Sequence, residues 1–118
     1  MNVPRIQSAT VADVPDVVID LGQEHSRRLV TSARQGSQSL SFHITTYTAD
    51  YRSAVTGDGV HEVVMYCLSG STTVTVDDGR VIDVVPGVAL YLPVEFSYEH
   101  VVGAQGLVMA VACTPPKE

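Results

Sequence analysis

Charge is scarce in this chain. Only 17% of its 118 residues are Asp, Glu, Lys or Arg, and seven basic residues stand against thirteen acidic ones. The seven are scattered, whereas a phosphate backbone demands clustered Lys and Arg, so the sequence argues against a nucleic-acid partner. No apolar run approaches the roughly 20 residues of a membrane helix. The opening MNVPRIQSATVADVPDVVIDL lacks a basic start followed by an apolar block, so no secretory signal is expected. A soluble, cytoplasmic protein without a membrane partner is the expectation. Cysteine is limited to Cys67 and Cys113. With no export signal, the pair reads as reduced core thiols, not a framework disulfide. A G-x-S-x-G nucleophile elbow is missing, as is a Gly-rich loop between a strand and a helix. Hydrolase and nucleotide-dependent chemistry are left without support. Nowhere do apolar residues recur with a helical period between caps, so helix should be minimal.

Strand signals are what remain. At 45% hydrophobic residues a chain of this length can bury one core, and a single domain is expected. Residues 1–25 read as an N-terminal arm or edge strand, with Pro15 arguing against a helix. Residues 26–118 form the folded domain. SRRLVTS is followed by a polar link, ARQGSQS, then SFHITTYT, a loop TADYRSAVTGDG, HEVVMYCLSG, STTVTV, RVIDVV, VALYLP and a long final run from Tyr98 to Cys113. Asp77-Asp78-Gly79 and Pro86-Gly87 punctuate the series. Val-, Thr- and Tyr-rich runs at this spacing indicate an all-β sandwich or barrel. Residues two apart on a strand share a face. His61, Val63, Met65 and Cys67 therefore fall together, as do Ser41, His43, Thr45 and Tyr47, then Tyr98 and His100, and Met109, Val111 and Cys113. Both faces are fairly apolar, so periodicity alone does not choose the inner one.

The run HEVVMYCLSGSTTVTVDDGRVIDVVPGVALYLP resembles the cupin pattern of strand, Gly turn, strand, Pro-Gly, strand. SRRL, SFHITT, YCLSG, PG and the terminal VACTPPK together resemble ectoine synthase in order and approximate spacing, from about Ser26 to the end. The resemblance implies a jelly-roll barrel around a small-molecule pocket, a homodimer, and ring closure by intramolecular condensation with loss of water. It also implies iron held by a Glu, a Tyr and a His. Here Val63, Leu90 and Tyr98 occupy those three positions. Glu62, Tyr91 and His100 lie close by, but Glu62 and Tyr91 should project from the opposite face. The His-x-His segment of ordinary cupins is absent as well. Ser26 and Thr45 match pocket residues of the family, Glu24 replaces its pocket Trp, and Val111 and Cys113 replace its C-terminal Cys and Phe. The fold is kept and the iron site is not, so ectoine synthesis itself is not expected.

The resemblance fixes the inner face: Ser26, His43, Thr45, Tyr47, His61, Met65, Cys67, Tyr98, His100, Met109 and Cys113 would line the barrel. Three histidines and two tyrosines facing one cavity exceed what packing requires. His61 and His43 are the candidate bases, because imidazole titrates near neutral pH. Tyr98 would donate a hydrogen bond to a developing oxyanion. The others would bind substrate. Each has a plainer reading: His43 as a satisfied buried group, Tyr98 as filler of a vacated metal position, His100 as a solvated rim residue, the cysteines as inert thiols. Glu62, Glu95 and Glu99 read as solvent-facing charges.

The expected function is a metal-independent cyclase, dehydratase or isomerase of a small metabolite, with no cofactor. Positioning alone can remove ~7–11 kcal/mol of barrier. Two rivals stand beside it. One is a cupin enzyme that binds iron or another divalent metal through His43, His61 and His100. The other is a small-molecule-binding cupin without turnover. A binder would hold its histidines in backbone hydrogen bonds, whereas an enzyme would leave at least one free to face the ligand.

Overall fold

The computed structural model describes residues 5–117. The first four residues of the expected arm and Glu118 lie outside the described residues. Among the described residues eight strands are formed: β1 (Asp16–Ile19), β2 (Glu24–Val30), β3 (Ser41–Tyr47), β4 (Arg52–Thr56), β5 (Glu62–Val76), β6 (Val81–Val84), β7 (Ala89–Leu92) and β8 (Ser97–Thr114). Among the described residues, helix is confined to two three-residue 3-10 turns and one four-residue turn, α1 (Ser32–Gln35). α1 falls in the expected polar link. Thr31 caps it by accepting from the Arg34 amide at 3.0 Å, and Gly36 ends it at φ 75°. No described helix is long and apolar enough to cross a membrane.

All strand pairs are antiparallel, and β5 and β8 form the spine. The second half of β8 pairs with β3, and the first half of β5 with β7, which extends one sheet through β2 to β1 at its edge. The first half of β8 pairs with β4 and the second half of β5 with β6, giving the other sheet. This is the expected all-β, two-sheet architecture. Two segments differ from the sequence reading. HEVVMYCLSG and STTVTV are one continuous strand, and the stretch read as a loop contains β4. Its residues, RSAVT, offer only modest alternation, and β4 owes its strand form to pairing with β8.

Both spine strands turn the corner between sheets at a glycine. Gly70 and Gly106 have φ of 77° and 74°, a region open to Gly without steric penalty. A Cβ on Gly70 would sit 2.0 Å from the Gly106 carbonyl oxygen, so the two backbones touch there. Register shifts accompany the corner, between Cys67 and Ser69 and between Gly70 and Thr72. They change which residues face inward. β5 buries Val63, Met65 and Cys67 before the corner, then Thr72 and Val74 after it. β8 buries Tyr98, His100 and Val102, then Leu107, Met109, Val111 and Cys113. The apolar members of these sets join Val84, Leu90 and Tyr51 in one core.

Candidate functional site

At the level of the corner the core leaves a small cavity of about 10 Å³, lined by Tyr47, Met65, Thr72, Val74, Leu90, Tyr98, His100, Leu107 and Met109. That is about the space of one water. His100 is the polar centre of its wall. Its Nδ1 lies 3.1 Å from the Thr72 hydroxyl, an approach made possible because the corner turns Thr72 inward. Its Nε2 is buried with no hydrogen-bond partner among the described residues. The Tyr47, Tyr51 and Tyr98 rings meet the imidazole edge-on, with centroids 5.4, 6.0 and 5.8 Å away. Burial lowers the His100 pKa below its ordinary value, so the ring is neutral at neutral pH and able to accept a proton. The Tyr98 hydroxyl reaches only the Met65 sulfur, at 4.0 Å, and burial, then the Glu24 carboxylate, raises that phenol to about 12. Tyr98 is thus held as a neutral donor.

Of the other residues singled out from sequence, Tyr47, Met65 and Met109 join this wall. Ser26, Thr45, Cys67 and Cys113 are buried in the barrel but do not line the cavity. Both cysteines are free thiols, and burial raises the pKa of each, which makes them poor nucleophiles. His43 is buried too, but at the other end of the interior. It stands opposite Arg28 on β2, near Ser41, Cys113 and the C-terminal tail. Burial, then the Arg28 and Lys117 charges, lowers its pKa to about 4. His61 is not on the cavity wall either. It lies just before β5 at a turn, where Asp58 accepts from the backbone amides of Val60 and His61 and pairs with the His61 ring. Asp58 is held well below the usual carboxylate range by those contacts. The single cavity with three histidines read from the sequence is therefore a cavity with one. Strand faces were assigned correctly, but position along the barrel separates His43 from His100, and a turn claims His61.

A larger recess of about 380 Å³ opens outside the barrel between Val11, Asp16, His25, Arg27, Ile44 and Thr46. Its polar groups are already engaged: His25 with Asp16 and the Gly22 carbonyl, Arg27 with the Val11 and Val14 carbonyls.

Comparison with known proteins gives no match to a protein-family pattern and none to a curated protein sequence. Solved structures do match. Ectoine synthase from P. lautus superposes with a TM-score of 0.78 at 19% identity, over 95% of this chain and 80% of the other. The polyketide cyclase RemF from Streptomyces resistomycificus gives 0.79 at 18%, over 96% and 81%. KdgF from Halomonas sp. gives 0.76 at 10%, over 97% of each chain. The chain has the cupin fold. In this chain, the positions at which the ectoine synthase resemblance implies iron are buried and inward: Val63, Leu90 and Tyr98 are each 8% exposed. Val and Leu offer no lone pair, and one phenol held protonated is a poor ligand by itself. Glu62 and Tyr91 point outward and hydrogen-bond to each other on the outer face. Among the described residues no three His, Cys, Asp or Glu side chains are grouped to hold a metal, and His43, His61 and His100 stand apart. The residues present do not suit the family's iron.

One residue of this site, Thr72, was missed from sequence, hidden by the change of inward parity at the Gly70 corner.

Proposed function

We propose that this cupin is a small-metabolite enzyme that closes a ring, or performs a related dehydration or isomerisation, without a metal. The observation that carries the reading is the wall of the cavity. One imidazole is oriented through Nδ1 by Thr72 and left unpartnered at Nε2, beside a phenol with no strong acceptor. In a condensation, His100 takes the proton from the attacking N–H or O–H as that atom bonds to a carbonyl carbon. Tyr98 hydrogen-bonds to the oxygen on which charge develops. His100 returns that proton to the oxygen, giving a hydroxyl. A second proton, from the same nitrogen or from the carbon beside the former carbonyl, then passes through His100 to that hydroxyl as the C–O bond breaks, and one water leaves. No redox change is involved. His100 thus takes the role that sequence gave to His61 or His43. The cavity is smaller than a metabolite, so Met65 and Met109, both flexible, are the side chains that move aside to admit one. Val64, Tyr66 and Leu68, exposed on the outer face of β5, support the homodimer expected from sequence.

The test is to incubate chelator-treated protein with open-chain carbonyl compounds carrying an internal amine or hydroxyl, following loss of water by NMR. Turnover by metal-free protein that is abolished in His100→Ala is the expected result. Tyr98→Phe should lower kcat and leave KM unchanged. Turnover only after iron or zinc is restored would overturn the metal-free reading. Binding without turnover would favour the ligand-binding rival.

A further inference from the structure

The turn Asp20–Gly22 joins β1 to β2 in a costly conformation. Its three residues have φ of 51°, 58° and 91°, a left-handed run. Gly22 adopts it freely, but Asp20 and above all Leu21 do so against steric resistance. Leu21 is 99% exposed, so no packing holds it there. Such a conformation persists only where the surroundings impose it. Two side-chain contacts tether this turn. On one side Tyr51 donates to Asp20 Oδ2 at 2.6 Å. On the other, His25 Nε2 lies 2.9 Å from the Gly22 carbonyl oxygen, while its Nδ1 lies 2.8 Å from Asp16 Oδ2. A carboxylate and a carbonyl only accept. Both His25 contacts are hydrogen bonds at once only when both ring nitrogens carry hydrogen. A neutral ring has one N–H and turns a lone pair toward one of the two oxygens.

This series of contacts ends at the cavity wall. The Tyr51 ring stacks on Tyr47 at 6.1 Å and meets His100 edge-on at 6.0 Å, and both of those residues line the cavity. We infer that the turn Asp20–Gly22 is a proton-operated brace on that wall: protonated His25 holds it against Tyr51, and loss of the proton releases it. The Asp16 carboxylate is the stronger acceptor, so a neutral ring keeps Nδ1–H on Asp16 and abandons the Gly22 carbonyl. The strained turn then relaxes, Asp20 parts from Tyr51, and Tyr47 and His100 lose the ring packed behind them. The charged groups around His25 are Asp16 from β1 and Arg27 from its own strand, while β3 contributes Ile44 and Thr46. Arg27 is committed to the Val11 and Val14 carbonyls, Asp20 to Tyr51, and Glu24 shares the opposite face of β2 with buried Ser26. The brace regulates the site proposed above, and rests on that reading only for the cavity's role.

The experiment is an NMR pH titration of the full chain through the range in which histidines lose their proton. It reads the His25 ring nitrogens, the Tyr47 and Tyr51 ring signals, and the hydrogen-exchange protection of the Gln23 amide. That amide donates to the Asp20 carbonyl at 3.1 Å and closes the turn. As His25 loses its proton, Gln23 protection should fall at least ~10-fold, the mark of a local opening. The Tyr47 and Tyr51 signals should move with the same midpoint. Asp16→Asn is the decisive variant. A carboxamide donates to a bare Nδ1 as readily as it accepts from a protonated one. A neutral His25 then keeps both bonds, and the turn should stay closed across the whole range. If Asp16→Asn loses its native spectrum, Tyr51→Phe carries the test, because it removes the hydroxyl and keeps the ring. There the His25 titration should still lower Gln23 protection but no longer move the Tyr47 signal. Gln23 and Tyr51 signals that ignore the His25 titration, or a folded Asp16→Asn protein that opens as the parent does, overturn the proposal. No turnover is read, so that failure leaves the metal-free reading standing, and a failure of turnover in the chelated protein leaves the brace standing.

Discussion

His43 and His100 both sit inside the barrel, 5% and 4% exposed, and each keeps an Nε2 with no hydrogen-bond partner among the described residues. Their surroundings differ in two respects. His100 faces a small cavity, has its other nitrogen oriented by Thr72, and is surrounded by phenol rings. His43 lies at the end crossed by the C-terminal tail, where the Lys117 amide donates to the Ser41 hydroxyl at 2.8 Å. There burial, with the Arg28 and Lys117 charges added, brings its pKa to about 4. An inward histidine is therefore not a site by virtue of burial. Space for a reacting atom and a pKa near the working pH are both required, and only one end of this interior supplies the space.

The sharpest way to break that comparison is to exchange the two imidazoles for alanine. His100→Ala should lower turnover by roughly 10²–10⁴-fold, the worth of one positioned proton-transfer group. His43→Ala should change turnover only as far as it lowers the folded fraction. His61→Ala should leave it unaltered, because that ring is committed to Asp58 at a turn. A large catalytic loss in His43→Ala with the fold intact would reverse the assignment of the two ends.

A smaller effect should separate the same residues by their response to acid. The folded pKa of His43 is depressed from 6.5 to about 4, so the native state refuses a proton that the unfolded chain accepts. The stability this group contributes is fully present above pH 6.5 and is lost as pH falls from 6.5 toward 4, on the order of 3 kcal/mol in all. His100 is shifted the same way and adds to the slope. Urea denaturation midpoints across that range should fall steeply in the parent protein and less steeply in His43→Gln. An unchanged slope in that variant would mean that burial, with the Arg28 and Lys117 charges, does not depress His43 in solution.

How much of this was legible in the sequence depended on distance along the chain. Alternation put His43 with Thr45, and Met65 with Cys67, on the correct faces, because only neighbours two residues apart are compared. The Asp77-Asp78-Gly79 turn was equally local: Asp78 accepts from the Arg80 amide and side chain. The cavity was not local. It gathers residues from both sides of a corner at which β5 and β8 change inward parity, and a Gly in a sequence does not announce which glycine it will touch. Gly70 against Gly106 is a contact across 36 positions, visible only once the spine strands pair. β4 was missed for the same reason, since its strand form depends on β8. His61 stands immediately before β5, at the strand mouth where the sequence put it; its contact with Asp58 was not legible, because the D-x-x-H spacing looks like any loop.

The smallest expected effect tests what closes the His43 end. Ser41 is fully buried, at 0% exposure, and its hydroxyl accepts the Lys117 amide across 76 residues of chain. This bond ties the tail to β3 beside Cys113, its partner in the β3–β8 register. Ser41→Ala removes one hydroxyl from a closed interior and leaves one amide to find water. The net loss should be about 0.5–1.5 kcal/mol, read as a shift in the urea midpoint at constant slope. The tail should then exchange its Lys117 amide hydrogen faster, while the resonances of His100, Tyr98 and Tyr47 stay in place. Those rings line the cavity at the level of the Gly70–Gly106 corner, further along the barrel from His43. If Ser41→Ala instead shifted the Tyr98 and His100 signals as strongly as those of His43, the two ends would be one coupled interior. The division that assigns chemistry to only one of them would then fail.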